Sequence, residues 1–213
     1  MTREQQISYI EAERKYLEEQ LTKMINRIGP IPIASREIMP YGWRKSAKGR
    51  TVWRIIEEVI SQNFEMNARS FGFDSAEPAE SEVGVYDFKF VYNGGKTAYV
   101  NIKSAVEGGR KNKDDLSKAE GLRAFYIENP NANLYISSFV IRFNEDMTID
   151  IVRCHVFPIT WIPDVYVNPS NNGNLQSAYY KDLSDAVRRT NEEFFEVFEN
   201  AYEIALQKKR SKK

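Results

Sequence analysis

Three polar side chains on one predicted hairpin have the types and spacing for metal-dependent phosphate chemistry. Residues 83–105 read VGVYDFKFVYNGGKTAYVNIKSA, two alternating runs on either side of an Asn-Gly-Gly sequence. If Asn93, Gly94 and Gly95 form the loop, glycine supplies the positive φ that a tight hairpin needs. Asp87 then faces Asn101, and Lys103 follows on the same face because alternate strand residues point the same way.

The opposite face of this hairpin is apolar in the same register, which supports the register. Slipping one strand by a single residue would mix the two faces. The predicted apolar pairs are Phe90 with Ala98, Phe88 with Val100, and Tyr86 with Ile102. Directly opposed residues have Cβ atoms roughly 4.5–5.5 Å apart, so Asp87, Asn101 and Lys103 are predicted to share one patch.

A carboxylate, an amide oxygen and an ammonium group are the parts of a metal-dependent phosphodiesterase site. Mg²⁺ prefers oxygen ligands and keeps several of its waters, so Asp87 and Asn101 are the predicted metal ligands. Lys103 would orient or activate the attacking water, and the two cations would stabilise the charge of the transition state. The alternative is an ordinary solvated face of an antiparallel strand pair.

Asp87, thirteen intervening residues and then Asn101-Ile102-Lys103-Ser104 resemble the PD-(D/E)xK nuclease motif. The similarity is strongest to type II restriction endonucleases of the EcoRV and HincII kind, from residue 50 to about 160. The resemblance implies an α/β fold with a mixed central β-sheet and flanking helices. It also implies Mg²⁺ as cofactor and site-specific hydrolysis of double-stranded DNA to a 5′-phosphate and a 3′-hydroxyl. A homodimer is expected, because palindromic sites match two-fold protein symmetry.

Two positions depart from the family pattern. Tyr86 stands where the motif has proline, a change that the family tolerates. Asn101 stands where the motif has Asp or Glu, and a neutral amide holds Mg²⁺ less strongly than a carboxylate. Three explanations are open: a substitution introduced to trap uncleaved DNA, a natural variant, or a domain without catalysis. The first is preferred, because the residues around Asn101 follow the pattern, and it predicts weak activity for this chain.

The family often adds a carboxylate from a helix to the site. A helix is predicted over residues 51–63, with Val52, Ile55, Ile56, Val59 and Ile60 on its apolar face. Glu57 flanks that face and Glu58 points away from it, so Glu57 is the predicted fourth catalytic residue. A solvated helix charge is the alternative.

Basic clusters are present although the chain has 30 Lys and Arg against 30 Asp and Glu. The basic residues could contact DNA phosphates, which supply much of the affinity for DNA. The Asn and Gln residues could read adenine in the major groove. The alternatives are solvated loops for the basic residues and ordinary turns for the amides. The candidate DNA contacts are Arg44, Lys45, Lys48, Arg50, Ser104, Arg110, Lys111, Lys113, Asn171, Asn172, Asn174 and Gln176.

The remaining pattern predicts one domain over residues 1–213. Heptad spacing in the predicted helix 3–28 fits either a dimer contact or packing on its own domain. We predict an acidic turn-rich segment 74–82, a helix over 112–128, strands 133–143 and 147–157, a loop 160–178, a helix 181–207, and a basic tail 208–213.

The composition of the chain excludes several classes of protein. The chain has one cysteine and one histidine, Cys154 and His155, which excludes a disulfide framework and a multi-histidine metal site. His155 is expected to be a packed strand residue. No apolar run is long enough for a membrane span, and the N-terminus does not look like a secretory signal, so a cytoplasmic protein is expected. The rival functions are a junction or repair endonuclease, a silent DNA-binding module, and an interaction protein.

Overall fold

The structure is a computed structural model that describes residues 1–44, 48–80, 84–109, 113–170 and 173–211, with the backbone alone at 48–51. The α-helices within these ranges are α1 (Arg3–Ile28), α2 (Lys48–Asn67), α3 (Ala119–Glu128) and α4 (Asn191–Arg210). The strands within them are β1 (Ile31–Pro32), β2 (Phe73–Pro78), β3 (Phe88–Tyr92), β4 (Ala98–Val106), β5 (Asp114–Lys118), β6 (Asn133–Phe143), β7 (Thr148–Pro158), β8 (Tyr166–Asn168) and β9 (Asn174–Ser177).

A central sheet of six described strands runs in the order β1-β7-β6-β4-β3-β2. Its β4–β6 pair is parallel and its other pairs are antiparallel. A parallel pair needs a crossover connection, and α3 lies in the chain between β4 and β6. A smaller sheet has the order β5-β9-β8. The predicted α/β class, a mixed central sheet with flanking helices, is confirmed.

One face of α2 joins the hydrophobic core beneath β2, β3 and β4. Residues four apart lie on one side of a helix, and Val52, Ile56, Ile60 and Phe64 are fully buried. Phe64 also meets phenylalanine rings of β2 and β3, with centroids 4.5–6.3 Å apart. The prediction that Ile55 belongs to this face is wrong, because its side chain is 42% exposed.

The apolar stripe of α1 is buried within the chain itself. Leu17, Leu21 and Met24 are buried, and the helix packs along β7. Polar residues of α1 also bind the outer side of that strand: the Val156 N–H donates to Glu18 at 2.7 Å, and Arg14 donates to the Val156 carbonyl at 3.5 Å. These hydrogen bonds satisfy main-chain N–H and C=O groups of β7 that do not pair with β1. A dimer formed through α1 would have to use faces of the helix other than its apolar stripe.

Several predicted segments differ from the structure because their strands are short and polar. The acidic segment 74–82 contains most of β2, and residues 114–118 form β5 rather than the start of the predicted helix. The predicted loop 160–178 contains β8 and β9. Each strand of the smaller sheet buries little apolar surface, so the hydrophobic period that indicates a strand is weak.

The last helix begins later than predicted, and α2 is longer than predicted. A capping box sets the first boundary: the Thr190 hydroxyl accepts from the Glu193 N–H, and the Glu193 carboxylate accepts from the Thr190 N–H. Residues 183–185 form a separate 3₁₀ turn before it. At the other helix, Phe64 continues the buried face beyond the predicted end.

We expect Phe64→Ala to lower the free energy of unfolding by about 3–5 kcal/mol, because it removes a buried ring and leaves a cavity. Urea unfolding followed by far-UV circular dichroism measures the change. Met66→Ala is the matched control on the same helix, because Met66 is 76% exposed and its loss should be nearly neutral. Equal effects of the two substitutions would contradict the described packing of α2.

Candidate active site

The predicted hairpin register is confirmed between β3 and β4. Phe88 pairs with Val100, Lys89 with Tyr99, and Phe90 with Ala98. Asn93 and Gly94 have φ values of 53° and 62° in the loop. Positive φ at these positions allows the tight reversal that fixes which residues oppose each other.

The main-chain pairing stops one residue before the predicted site, and side chains replace it. The Asp87 N–H donates to the Val100 carbonyl at 2.8 Å. The Asp87 carboxylate then accepts from the Ile102 N–H at 2.5 Å. The predicted Tyr86–Ile102 pair is therefore wrong, and the Tyr86 ring packs against Tyr99 with centroids 4.7 Å apart. That places Tyr86 on the face opposite to the one predicted.

Asn101 is held beside Asp87 at the same end of the hairpin. Its side chain is 8% exposed, and its Nδ2 donates to the Val85 carbonyl at 2.9 Å. Its Oδ1 is buried and accepts no hydrogen bond from any residue that the structure describes. A buried polar atom without a partner is costly, so Asn101 Oδ1 is an oxygen ready for a ligand.

The structure places Glu57, rather than Glu58, next to this hairpin. The Glu57 side chain is 17% exposed, whereas Glu58 is exposed and accepts from Gln62 at 2.7 Å. Burial raises the pKa of Glu57 to about 7, and the negative charge of Asp87 adds to the rise. The charges of Lys103 and Arg54 act in the opposite direction. Glu57 is thus in electrostatic contact with the hairpin residues.

Asp87 is affected by the same surroundings. Burial raises its pKa, while the Ile102 N–H, Lys103 and Arg54 favour its charged form. Arg54 also lies 3.8 Å from Glu57, measured from Nη1 to Oε2. Arg54 was not among the predicted site residues, although its spacing of three from Glu57 on a helix was a usable signal.

The residues present fit a magnesium ion. Asp87 and Glu57 are both desolvated, and the negative charge of each makes ionisation of the other less favourable. A bound cation would stabilise both ionised carboxylates. Asn101 Oδ1 adds a neutral oxygen, and oxygen donors with room for water suit Mg²⁺. Within the described ranges, no group of three or more His, Cys, Asp or Glu side chains is arranged as a metal site. The ion would therefore depend on the amide and on water as well.

Glu57 and Asp87 open into a cleft of about 850 Å³ between α2 and the start of the hairpin. We name it the acidic cleft because four carboxylates and one arginine are the charged residues that line it. The carboxylates are Glu57, Glu58, Glu65 and Asp87, and the arginine is Arg54. This excess of negative charge attracts cations and repels phosphates. Lys103 and Ser104 lie on the far side of the same site, on β4.

Five of the proposed DNA contacts have side chains that the structure describes: Arg44, Ser104, Lys113, Asn174 and Gln176. Arg44 is exposed, with its guanidinium 5.6 Å from the centroid of the Tyr41 ring. Lys113 lies 3.7 Å from Asp164, and its ammonium is 4.7 Å from a tyrosine ring centroid. Ser104 lines a second cleft. Lys45, Arg110, Lys111, Asn171 and Asn172 lie outside the described residues, as do the side chains of Lys48 and Arg50.

The predicted amide-rich reading loop is in part a small sheet. Asn174 and Gln176 lie in β9, and Gln176 donates to Asp115 at 2.6 Å and accepts from Asn168 at 3.1 Å. The side-chain oxygen of Asn174 is buried and has no hydrogen-bond partner among the described residues. Base reading by Gln176 would require breaking hydrogen bonds that the fold uses.

The fold and site together define a mixed α/β protein with a carboxylate pair, an amide and a lysine at the end of a hairpin. Comparison with models of known protein families found no match, and comparison with curated proteins found none. Among solved structures, NlaIV restriction endonuclease is similar over 76% of this chain and 75% of its own, with 11% identity and a TM-score of 0.46. At that level the similarity carries no functional argument, and the function must be argued from the site.

No helix among the described residues is long and apolar enough to cross a membrane.

We expect Glu57→Gln to stabilise the metal-free protein, increasingly so as the pH rises. The folded state holds the Glu57 proton up to a pKa of about 7, against an ordinary value of 4.5. The wild type therefore loses stability relative to the neutral variant between about pH 4.5 and 7. One pKa unit is worth about 1.4 kcal/mol, so after allowance for solvent in the cleft we expect about 1–2 kcal/mol at pH 8.

Chemical unfolding in EDTA at pH 4 and pH 8 measures this difference. Glu58→Gln is the matched control, because Glu58 is exposed and should show no such pH dependence. A Glu57→Gln variant that is no more stable than wild type at pH 8 would show that Glu57 is not desolvated beside Asp87.

Proposed function

We propose that this protein is a Mg²⁺-dependent endonuclease that hydrolyses phosphodiester bonds of double-stranded DNA. One observation carries the proposal: Asp87, Glu57, Asn101 and Lys103 meet at the end of one hairpin, although they come from a helix and two strands. Two desolvated carboxylates, a buried oxygen without a partner and an ammonium are the groups that such hydrolysis requires. The sequence resemblance to the PD-(D/E)xK motif points to the same chemistry.

Asp87, Glu57 and Asn101 Oδ1 would hold the metal. Bound Mg²⁺ would supply Lewis-acid polarisation of the phosphate and a more acidic water. The Lys103 ammonium, on the same face of β4 as Asn101, would orient the attacking water and stabilise negative charge on the phosphate oxygens.

Glu57 would supply the carboxylate that the motif lacks at position 101. The Asn101 amide already uses its Nδ2 as a donor to the Val85 carbonyl. An aspartate there would bring a carboxylate oxygen against that carbonyl and lose the hydrogen bond. This arrangement favours a protein in which asparagine is native and the helix provides the second charge. It revises the preference for an introduced substitution that the sequence pattern gave.

The type II restriction activity and the homodimer remain parts of this proposal. Both follow from the motif resemblance and from the match between palindromic sites and two-fold symmetry. A junction or repair endonuclease with the same site would cut structured DNA without sequence preference. Discrete fragments from a plasmid would indicate site-specific cutting, and a smear would indicate the alternative.

We expect Lys103→Met to reduce plasmid cleavage in Mg²⁺ by at least ~100-fold, because it removes a group that acts on the reacting atoms. Binding to the same DNA in EDTA should change far less, since a single positive charge is lost. Supercoiled plasmid digestion measures cutting, and fluorescence anisotropy measures binding. Lys89→Met is the control, since Lys89 is also on the hairpin but pairs with Glu77 away from the site. Cutting by Lys103→Met at the wild-type rate would refute the proposed site.

We expect Asn101→Asp to give no more than a few-fold gain in cutting and a lower stability than wild type. The physical reason is the lost hydrogen bond to Val85 and a third carboxylate in a desolvated site. Parallel digests with Mg²⁺ and with Mn²⁺ measure the effect. A gain of ~100-fold or more would instead mean that asparagine has replaced a catalytic aspartate. Intact plasmid with both forms, together with salt-sensitive DNA binding, would identify a silent binding module.

A further inference from the structure

A second cleft of about 940 Å³ is lined by Ser104, the residue after Lys103, and we name it the groove. Trp53 of α2, Ser104 of β4, Ser138 of β6, and Arg153 and His155 of β7 are among the residues that line it. It begins at the residue next to Lys103 and continues across three strands of the central sheet. Nothing in the proposed chemistry uses its two β7 side chains.

The strand register aligns these side chains with the site. Lys103 pairs with Ser138, and Ser138 pairs with His155. Directly paired residues of neighbouring strands point to the same face, so Lys103 and His155 share a face. Strands lie roughly 4.8 Å apart, which puts their Cα atoms about 10 Å apart across the sheet.

Arg153 extends the same surface by one step along β7. It pairs with Val140, which pairs with Ala105, two residues after Lys103. Residues two apart on a strand share a face and are roughly 6.6 Å apart. Arg153 and His155 therefore form a short basic row on the sheet face that carries Lys103.

The charges favour phosphate in the groove over the acidic cleft. The three groove carboxylates are engaged. Glu107 accepts two hydrogen bonds from Arg142, at 2.6 and 2.9 Å, Asp114 accepts from Lys181 at 2.6 Å, and Asp182 accepts from the Ser184 N–H at 2.9 Å. Arg153, by contrast, is exposed and forms no ion pair with any residue that the structure describes. Its charge is available to a ligand, whereas the single arginine of the acidic cleft faces four carboxylates.

The His155 ring is held by α1. Its Nδ1 is 3.1 Å from Glu18, and the same carboxylate accepts from the Val156 N–H at 2.7 Å and from Arg14 at 3.2 Å. The opposite nitrogen, Nε2, is buried and has no hydrogen-bond partner among the described residues. Glu18 therefore fixes the ring as part of the groove wall, and Arg153 beside it supplies the exposed positive charge.

We propose that Arg153 binds a backbone phosphate of the DNA that flanks the bond to be cut, so that the duplex lies along the groove. This inference rests on the proposed endonuclease function. The scissile phosphate would lie near Lys103, and the flanking phosphate would lie across β6 from it. The acidic cleft would then remain open for cations and water.

Binding of a fluorescent duplex in EDTA tests this inference without cleavage. We expect Arg153→Ala to weaken binding ~10-fold and to reduce the slope of log affinity against log salt by about 1, because one phosphate contact is lost. Arg153→Lys should retain most of the affinity. His155→Gln should bind nearly like wild type, because the unpaired ring nitrogen of His155 is buried. In Mg²⁺ the loss of Arg153 should raise KM more than it lowers kcat.

Lys23→Ala is the matched control, because Lys23 is an exposed cation on α1 that lies outside both clefts, and it should bind like wild type. Wild-type affinity and salt slope in Arg153→Ala would overturn the inference while leaving the endonuclease proposal intact. Binding that His155→Gln weakens as much as Arg153→Ala does would overturn the assignment of this contact to Arg153. A wild-type protein that neither binds nor cuts the duplex would overturn both proposals.

Discussion

The hydrogen bond from the Ile102 N–H to the Asp87 carboxylate sets the geometry on which the site depends. It occurs where main-chain pairing between β3 and β4 ends, so a side chain takes the position that a carbonyl would otherwise have. Asp87 is thereby drawn out of solvent and fixed beside Asn101. Glu57 approaches this end of the hairpin from α2, where burial and the charge of Asp87 both raise its pKa.

The carboxylate pair gives the site its electrostatic character. Glu57 and Asp87 both lose solvation, and the charge of one opposes ionisation of the other. Lys103 and Arg54 offset this only in part, since the pKa of Glu57 still rises to about 7. Such a site is less stable without a cation than a neutral one would be. Functional sites often lower the stability of the ligand-free protein in this way, because the groups that bind a ligand are unfavourable without it.

The α1 helix links the core to the sheet face that carries the site. Its apolar stripe packs on β7, and its Glu18 and Arg14 bind the Val156 main chain on the edge of β7 that β1 does not reach. The same Glu18 carboxylate holds His155. The row from Lys103 to His155 crosses from β4 through β6 to β7, so it brings together residues that are distant in sequence. The helix thus supports a surface that extends well beyond the hairpin.

The sequence alone determined the local features of this protein. Two residues with positive φ in the Asn-Gly-Gly loop fix the hairpin register, and alternation then places Asp87 opposite Asn101 with Lys103 beside them. Helical periodicity identified α1 and the buried face of α2, and it favoured Glu57 over Glu58. These features depend on residues that are near one another in the chain, where turn chemistry and repeat spacing act directly.

Only the tertiary structure decided how distant segments meet. The smaller sheet escaped prediction because its strands are short and stabilised by hydrogen bonds between remote amides and carboxylates, such as Gln176 with Asp115. Arg54 at the site, the hydrogen bond from Asn101 to Val85, and the row that joins Lys103 to His155 were equally hidden. Each depends on desolvation or on pairing between non-neighbouring strands. Desolvation and long-range strand pairing produce no repeating pattern in the sequence, because they arise only when the folded core brings those segments together.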